Sequence, residues 1–257
     1  MYRFLLRPKW IGFHLLCVAG IVGMVSAGVW QLHRNDQRHR FEQEVRDRTD
    51  ADVVPLADVL AIGTPAEMEW RRVEATGTYV QDRQFEVVNV GQGGVSGHDA
   101  VDALRLDDGS LLIVNRGFVA GAAPLPPAPT DEVTIVGRVR TTQTAGTGQT
   151  SDDGSQRLTQ IRRVDLGALA QQFDESVLPV YVDLLDATPP DDASLQPVAF
   201  PSLGGGPPHM SYAIQWFTFS VCVVVGWVLA VRRSALAATG RAKPKRRKVP
   251  PIADEYR

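Results

Sequence analysis

His209-Met-Ser-Tyr-Ala-Ile-Gln-Trp-Phe217 opens a run that carries no charge until Arg232. From Tyr212 to Val231 the 20 residues include only Gln215, Thr218 and Ser220 as polar members. At about 1.5 Å rise per residue they match a hydrocarbon layer roughly 30 Å thick, which predicts a membrane-spanning helix over 210–231. The run follows Gly204-Gly-Gly-Pro-Pro208, a flexible segment ending in helix breakers, and stops at Arg232-Arg233, whose charges do not follow it into lipid. His209 therefore stands where the chain would enter the membrane.

Trp10 to Leu32 supplies a second stretch of 23 mostly apolar residues with one ionisable member, His14, and an interfacial Trp near each end, Trp10 and Trp30. The competing reading is a secretory signal peptide, with an apolar region of about 7–15 residues and a small-residue cleavage site. Ser26-Ala27-Gly28 matches such a site weakly, but the apolar run continues beyond it, which favours a retained helix.

These two stretches divide the chain into a cytoplasmic N-terminus (1–9), transmembrane helix 1 (10–32), a stalk and linker (33–70), a β-rich domain (71–188), a Pro/Gly-rich linker (189–209), transmembrane helix 2 (210–231) and a basic tail (232–257). The 177 residues from His33 to His209 are enough for one domain with its own core. Charge sets the orientation. Residues 1–10 hold three basic residues and no acid, and residues 232–257 hold nine basic and two acidic, so a formal net charge of −2 conceals a middle segment of 15 basic and 27 acidic residues, net −12. Basic flanks stay in the cytoplasm. Arg34, Arg38, Arg40, Arg46 and Arg48 oppose this at helix 1; helix 2 decides it, because no Lys or Arg occurs from Val164 to Val231 and eight follow within seventeen residues. The expectation is a multi-pass protein of the cell (plasma) membrane, both termini cytoplasmic, with an extracytoplasmic central domain. The tail Arg241-Ala-Lys-Pro-Lys-Arg-Arg-Lys248 then reads as a topology determinant against anionic lipid, and nucleic acid is not expected as a partner.

The only cysteines, Cys17 and Cys222, both fall inside the predicted spans. The outer domain thus has no disulfide and no Cys pair for copper.

Between the spans, the polar run His33–Arg48 consists of helix formers that would extend helix 1 as a stalk, and Leu56–Ala61 reads as a short helix after Pro55. Period-two alternation begins at Val73. Val73–Tyr79 and Phe85–Val90 read as one hairpin; Ala100–Leu106 and Ser110–Val119, joined by Asp107-Asp108-Gly109, read as another. The unbroken Leu111-Leu-Ile-Val114 predicts a strand buried on both faces. Val133–Arg140 and Val177–Leu185 are further strands, and Val164–Phe173 is a helix capped by Asp165. Gly121–Thr130 and Thr141–Gln156 read as loops. About six strands with one helix predict an α+β domain built on an antiparallel barrel or sandwich.

No catalytic constellation is present: the outer segment has His33, His39, His98 and His209 but neither HExxH nor GxSxG, and Gly91-Gln-Gly-Gly-Val-Ser-Gly97 joins two strands with no phosphate-binding Lys after it. The expectation is a protein that is not an enzyme.

Gly28-Val-Trp-Gln-Leu-His-Arg34, Arg72-Val-Glu-Ala-Thr-Gly-Thr-Tyr79, Asp108-Gly-Ser-Leu-Leu-Ile-Val-Asn-Arg-Gly-Phe118, Pro179-Val-Tyr-Val182 and His209–Phe217 resemble, in order and over nearly the whole chain, the successive motifs of the surfeit locus protein 1 family. The departures are Phe118, where that family often has Trp, and the polar insertion at 141–156. The resemblance implies a two-span factor of respiratory-chain biogenesis that assists assembly of a haem-copper terminal (cytochrome c) oxidase and holds haem a for insertion into the catalytic subunit. It implies as partners the subunits of a cytochrome oxidase, the proteins that make or deliver haem a, and the lipid bilayer. It also implies His209 as ligand to the haem iron and Trp216 beside the cofactor, with Tyr212 of the same motif in the cofactor-binding set. The alternative is a haem-free membrane-anchored scaffold that stabilises an oxidase assembly intermediate.

The residues themselves are compatible with either. Seven positions advance a helix by about two turns, so His209 and Trp216 share a face about 10 Å apart, but an interfacial His and a lipid-facing Trp would look the same. His33, at the outer end of helix 1, lies at the depth of His209 and is a possible second axial ligand. His14, about 27 Å from that end, is too deep to share an iron with His209 and is expected to pack or hydrogen-bond between helices. Arg116 and Arg72 could meet a haem propionate, or pair with acids of their own domain, which is the favoured reading.

Overall fold

The computed structural model describes residues 3–200 and 208–238. The expected Gly204–Gly206 linker and the basic tail at 241–248 lie outside the described residues. The chain forms two compact units: Met1–Arg40 with Gly204–Arg257, and Phe41–Leu203.

In the first unit a 3-10 turn, Arg3–Leu6, precedes α1, which begins with Pro8 at a position where its missing N–H costs nothing. Helix α1 runs 43 residues from Pro8 to Asp50, through Ser26-Ala27-Gly28 and through the polar stalk without a break. At the other end of the chain the 30-residue helix His209–Ala238 carries the opening motif; it is α5, counted after the short helices below. Both are long and apolar enough to cross a membrane, and Leu15, Leu16, Ile214 and Val221 present their side chains outward at 60–72% exposure.

The second unit is built on one eight-stranded sheet. After β1 (Val54–Pro55), α2 (Leu56–Leu60) and α3 (Pro65–Met68), the strands are β2 (Arg72–Tyr79), β3 (Phe85–Gln92), β4 (Val95–Leu106), β5 (Leu111–Ala120), β6 (Glu132–Thr141) and β7 (Gln160–Ile161); α4 (Leu166–Ala170) precedes β8 (Val177–Thr188). The order is β1-β2-β6-β8-β5-β4-β3-β7, and β2 also pairs with β4.

Two expectations change. The sheet is mixed, not antiparallel: β5 runs parallel to β8, as β1 does to β2 and β3 to β7. The 56 residues between Ala120 and Val177 carry β6, β7 and α4 and supply the long crossover that a parallel neighbour requires. Second, β2 and β3 do not form a hairpin. The long β4 takes both along a single edge, β3 against Val95–Val101 and the end of β2 against Leu104–Leu106, while β5 occupies its other edge. Strands laid end to end along one edge cannot pair with each other. Val80 N–H donates to Ala103 O (2.8 Å), which holds the end of β2 against β4 just before the chain turns into β3.

The β4–β5 hairpin forms as expected, with Gly109 at φ +81°, a conformation open to Gly without a Cβ penalty. Along β5, Leu112 and Val114 enter a cluster with Leu56, Val59, Met68, Val73, Ile135 and Val182, whereas Leu111 and Ile113 enter one with Phe85, Val101, Ile161, Leu169 and Tyr181. All four β5 residues are fully buried, each contributing about 1.5–3 kcal/mol by removal from water. Helix α4 covers the second cluster; the Asp165 side chain caps it by accepting from Gly167 N–H and Ala168 N–H.

Candidate functional site at the head of the second apolar helix

Pro208 stops any earlier helix, and its carbonyl accepts from Tyr212 N–H at 3.2 Å, so α5 starts on His209. His209 is half-buried, and its Nδ1 lies 2.7 Å from Gln31 Oε1 on α1. An amide oxygen only accepts, so Nδ1 carries the proton and the neutral ring keeps its lone pair on Nε2. This is the arrangement in which protein imidazoles ligate metals: one nitrogen is fixed by an acceptor, and the other is left as the donor atom. The donor chemistry fits a haem iron.

Trp216 follows two turns along α5, half-buried, its ring edge-on to Phe219 at 6.3 Å. Tyr212, between His209 and Trp216 in sequence, is 46% exposed. The helices approach closely at this end. A Cβ built on Gly28 would lie 2.8 Å from Phe217 Cε1, so glycine is what allows the contact. His33 is exposed and stands two positions from Gln31, about 200° round α1 from the residue that bonds His209. Sequence reasoning did not single out Gln31, although it lies inside the Gly28–Arg34 motif.

His14 makes the interhelical hydrogen bond expected of it. Trp227 Nε1–H of α5 donates to its Nδ1 at 2.8 Å, with ring centroids 5.7 Å apart and nearly perpendicular. Cys17 is buried and Cys222 exposed, both as free thiols.

In the sheet unit several buried ionisable groups pair with one another, while Arg138 Nε and Asp99 Oδ1 are buried without a hydrogen-bond partner. Arg116 is fully buried and donates from Nε and Nη2 to Asp191 (2.8 and 2.5 Å), from Nη1 to Asp102 (3.1 Å), and to the carbonyls of Pro126 and Pro127, beneath the ring of Tyr79. The guanidinium is thus an ion-pair partner within its own domain. Burial pushes the Asp102 carboxyl above the usual range, an effect that Arg116 opposes, and burial likewise raises the Tyr79 hydroxyl. Arg72 opens β2 and is half-buried. A second buried acid, Asp183, takes long bonds from Arg138 (3.3 Å) and Arg140 (3.4 Å), which stand over Trp70. Asp99 accepts from Asn115 Nδ2–H at 3.0 Å, and its carboxyl is raised by burial. Among the described residues, no group of three His, Cys, Asp or Glu is placed to hold a metal ion.

The profile of the SURF1 family matches residues 18–221. An uncharacterised SURF1-like protein of Mycobacterium tuberculosis is 31% identical over 236 residues, covering 87% of this chain and 83% of that protein. A SURF1-like protein of Monosiga brevicollis is 28% identical over 240 residues, 86% and 88% of the two chains, and one of Dictyostelium discoideum is 26% identical over 116 residues. The matched span takes in the Gln31–His209 pair, Trp216 and the entire sheet unit, and on this breadth of agreement the chain belongs to the SURF1 family, a family known generally for oxidase assembly factors.

Proposed function

We propose that this protein is a membrane-anchored assembly factor for a haem-copper terminal oxidase and that it holds haem a for insertion into the catalytic subunit, with His209 as the iron ligand. The observation that carries the cofactor assignment is the Gln31 Oε1–His209 Nδ1 bond, which fixes the imidazole and leaves Nε2 as a lone-pair donor at the head of α5. Trp216 and Tyr212 supply aromatic surface further along the same helix, and the outward apolar faces of α1 and α5 suit both lipid and an intramembrane partner subunit. The bound iron-porphyrin would supply visible absorption and a metal centre that the protein transfers without altering. Family membership supports the oxidase partner, and the basic ends flanking an acidic middle segment support an orientation with both termini cytoplasmic.

The test is an absorption spectrum of the full chain purified from cells that make haem a. The account expects a Soret band and a stoichiometric pyridine haemochrome of the haem a type. A colourless protein that still co-purifies with oxidase subunits would replace haem holding by the scaffold function.

A further inference from the structure

The opposite end of the helix pair contains a cavity of about 260 Å³ lined by Leu5, His14, Trp227, Val228, Val231 and Arg232. The surface it presents is almost wholly apolar, although His14, Trp227 and Arg232 are among the residues that line it. Indole N–H can only donate, so the 2.8 Å bond from Trp227 fixes His14 Nδ1 as an acceptor and puts the ring proton on Nε2. His14 therefore has no ring lone pair for a metal while the bond to Trp227 stands.

Charge at this end is of one sign. Arg3 and Arg7 precede α1 and Lys9 lies in its first turn, Arg232 and Arg233 close the apolar run of α5, and no Asp or Glu occurs before Asp36 or between Pro208 and Arg233. The polar groups are also graded by depth: Arg232 lies five residues beyond Trp227, about 7.5 Å along the axis, and the headgroup layer outside the hydrocarbon core is about 5–7 Å thick. We infer that this cavity is a specific site for an anionic glycerophospholipid, with an acyl chain along Leu5, Val228 and Val231 and its phosphate outside the cavity on the exposed Arg232. The inference rests on reading α1 and α5 as membrane-spanning and is independent of haem at the other end.

The full chain, extracted in mild detergent and exchanged into micelles doped with phosphatidylglycerol or phosphatidylcholine, is examined by native mass spectrometry. One phosphatidylglycerol should persist at activation energies that strip phosphatidylcholine. Arg232→Gln should lower its retention about fivefold, the worth of one cation near an anionic headgroup. Val228→Trp, which fills the cavity and keeps every charge, should abolish retention, and Arg34→Gln, just past the other end of the apolar stretch of α1, should leave it unchanged. Equal retention of the two lipids, or parental retention by both Arg232→Gln and Val228→Trp, overturns the site. Extraction of the protein from its membranes by alkaline carbonate overturns the membrane reading and this site together, whereas a carbonate-resistant protein without lipid preference overturns the site alone.

Discussion

The two units use polar residues in opposite ways. In the sheet unit buried charges are numerous and answered internally: Arg116 is enclosed by Asp102, Asp191 and two carbonyls, and Asp183 by Arg138 and Arg140. In the helical unit two uncharged contacts join α1 and α5: His209 and His14 each engage one residue of the facing helix. Arg116, with its five N–H donors all engaged inside the domain, has none left for a ligand. A lone imidazole held by a single bond still has one nitrogen to offer, which is the physical ground for proposing the cofactor on the helices and not on the sheet.

The largest effect that could break this contrast is at Arg116. Arg116→Met leaves Asp102 and Asp191 without their partner, a change that costs about 3–5 kcal/mol when a buried pair is broken from one side. The Tm of the detergent-solubilised chain should fall by about 10 °C, with haem per folded molecule unchanged. Loss of haem from the molecules that remain folded would mean that the sheet takes part in the site.

Gln31 tests the other side. Gln31→Leu removes the acceptor that fixes the His209 tautomer and should weaken haem retention about 10-fold, the lower range for losing such a supporting bond, whereas Gln31→Glu should preserve it. Titration of the apo-protein with haem would measure both.

A smaller effect concerns Asp99, whose carboxyl is raised by burial. The folded state then binds a proton more tightly than the unfolded chain, so stability is gained, not lost, as pH falls through the folded value toward the ordinary carboxylate range. The gain is up to about 1.4 kcal/mol per pH unit and stops below the unfolded value. Asp99→Asn removes this component. The difference in unfolding free energy between parent and variant should therefore move in favour of the parent on mild acidification, and a pH-independent difference would contradict the burial argument.

What the sequence made legible was local. The Asp107-Asp108-Gly109 turn specified the β4–β5 hairpin, the unbroken Leu111–Val114 run specified a strand covered on both faces, and Asp165 marked the start of α4. What it hid was long-range. Period-two alternation in β2 and β3 is the same whether the strands pair with each other or lie end to end on β4, and the parallel β5–β8 contact joins residues more than fifty positions apart. The segment after Pro189, read as a plain linker, is tied to the domain by Asp191 and by the Phe118–Gln196 bridge, neither of which has a local signature. At the candidate site the resemblance implied His209, and helix depth singled out His14 as an interhelical partner. Gln31 and Trp227 went unread because helix periodicity does not fix which residues of two helices face each other.

The central claim, that His209 ligates haem iron, is tested most directly by comparing the Soret spectrum of His209→Ala with those of the parent, Trp216→Phe and His14→Ala at equal membrane expression. The account predicts that His209→Ala loses most of its haem, because an axial ligand is removed while the uncharged span still inserts. Trp216→Phe should shift or weaken the band without abolishing it, and His14→Ala should leave it unaltered. Full haem content with an unchanged Soret band in His209→Ala would contradict the ligand assignment.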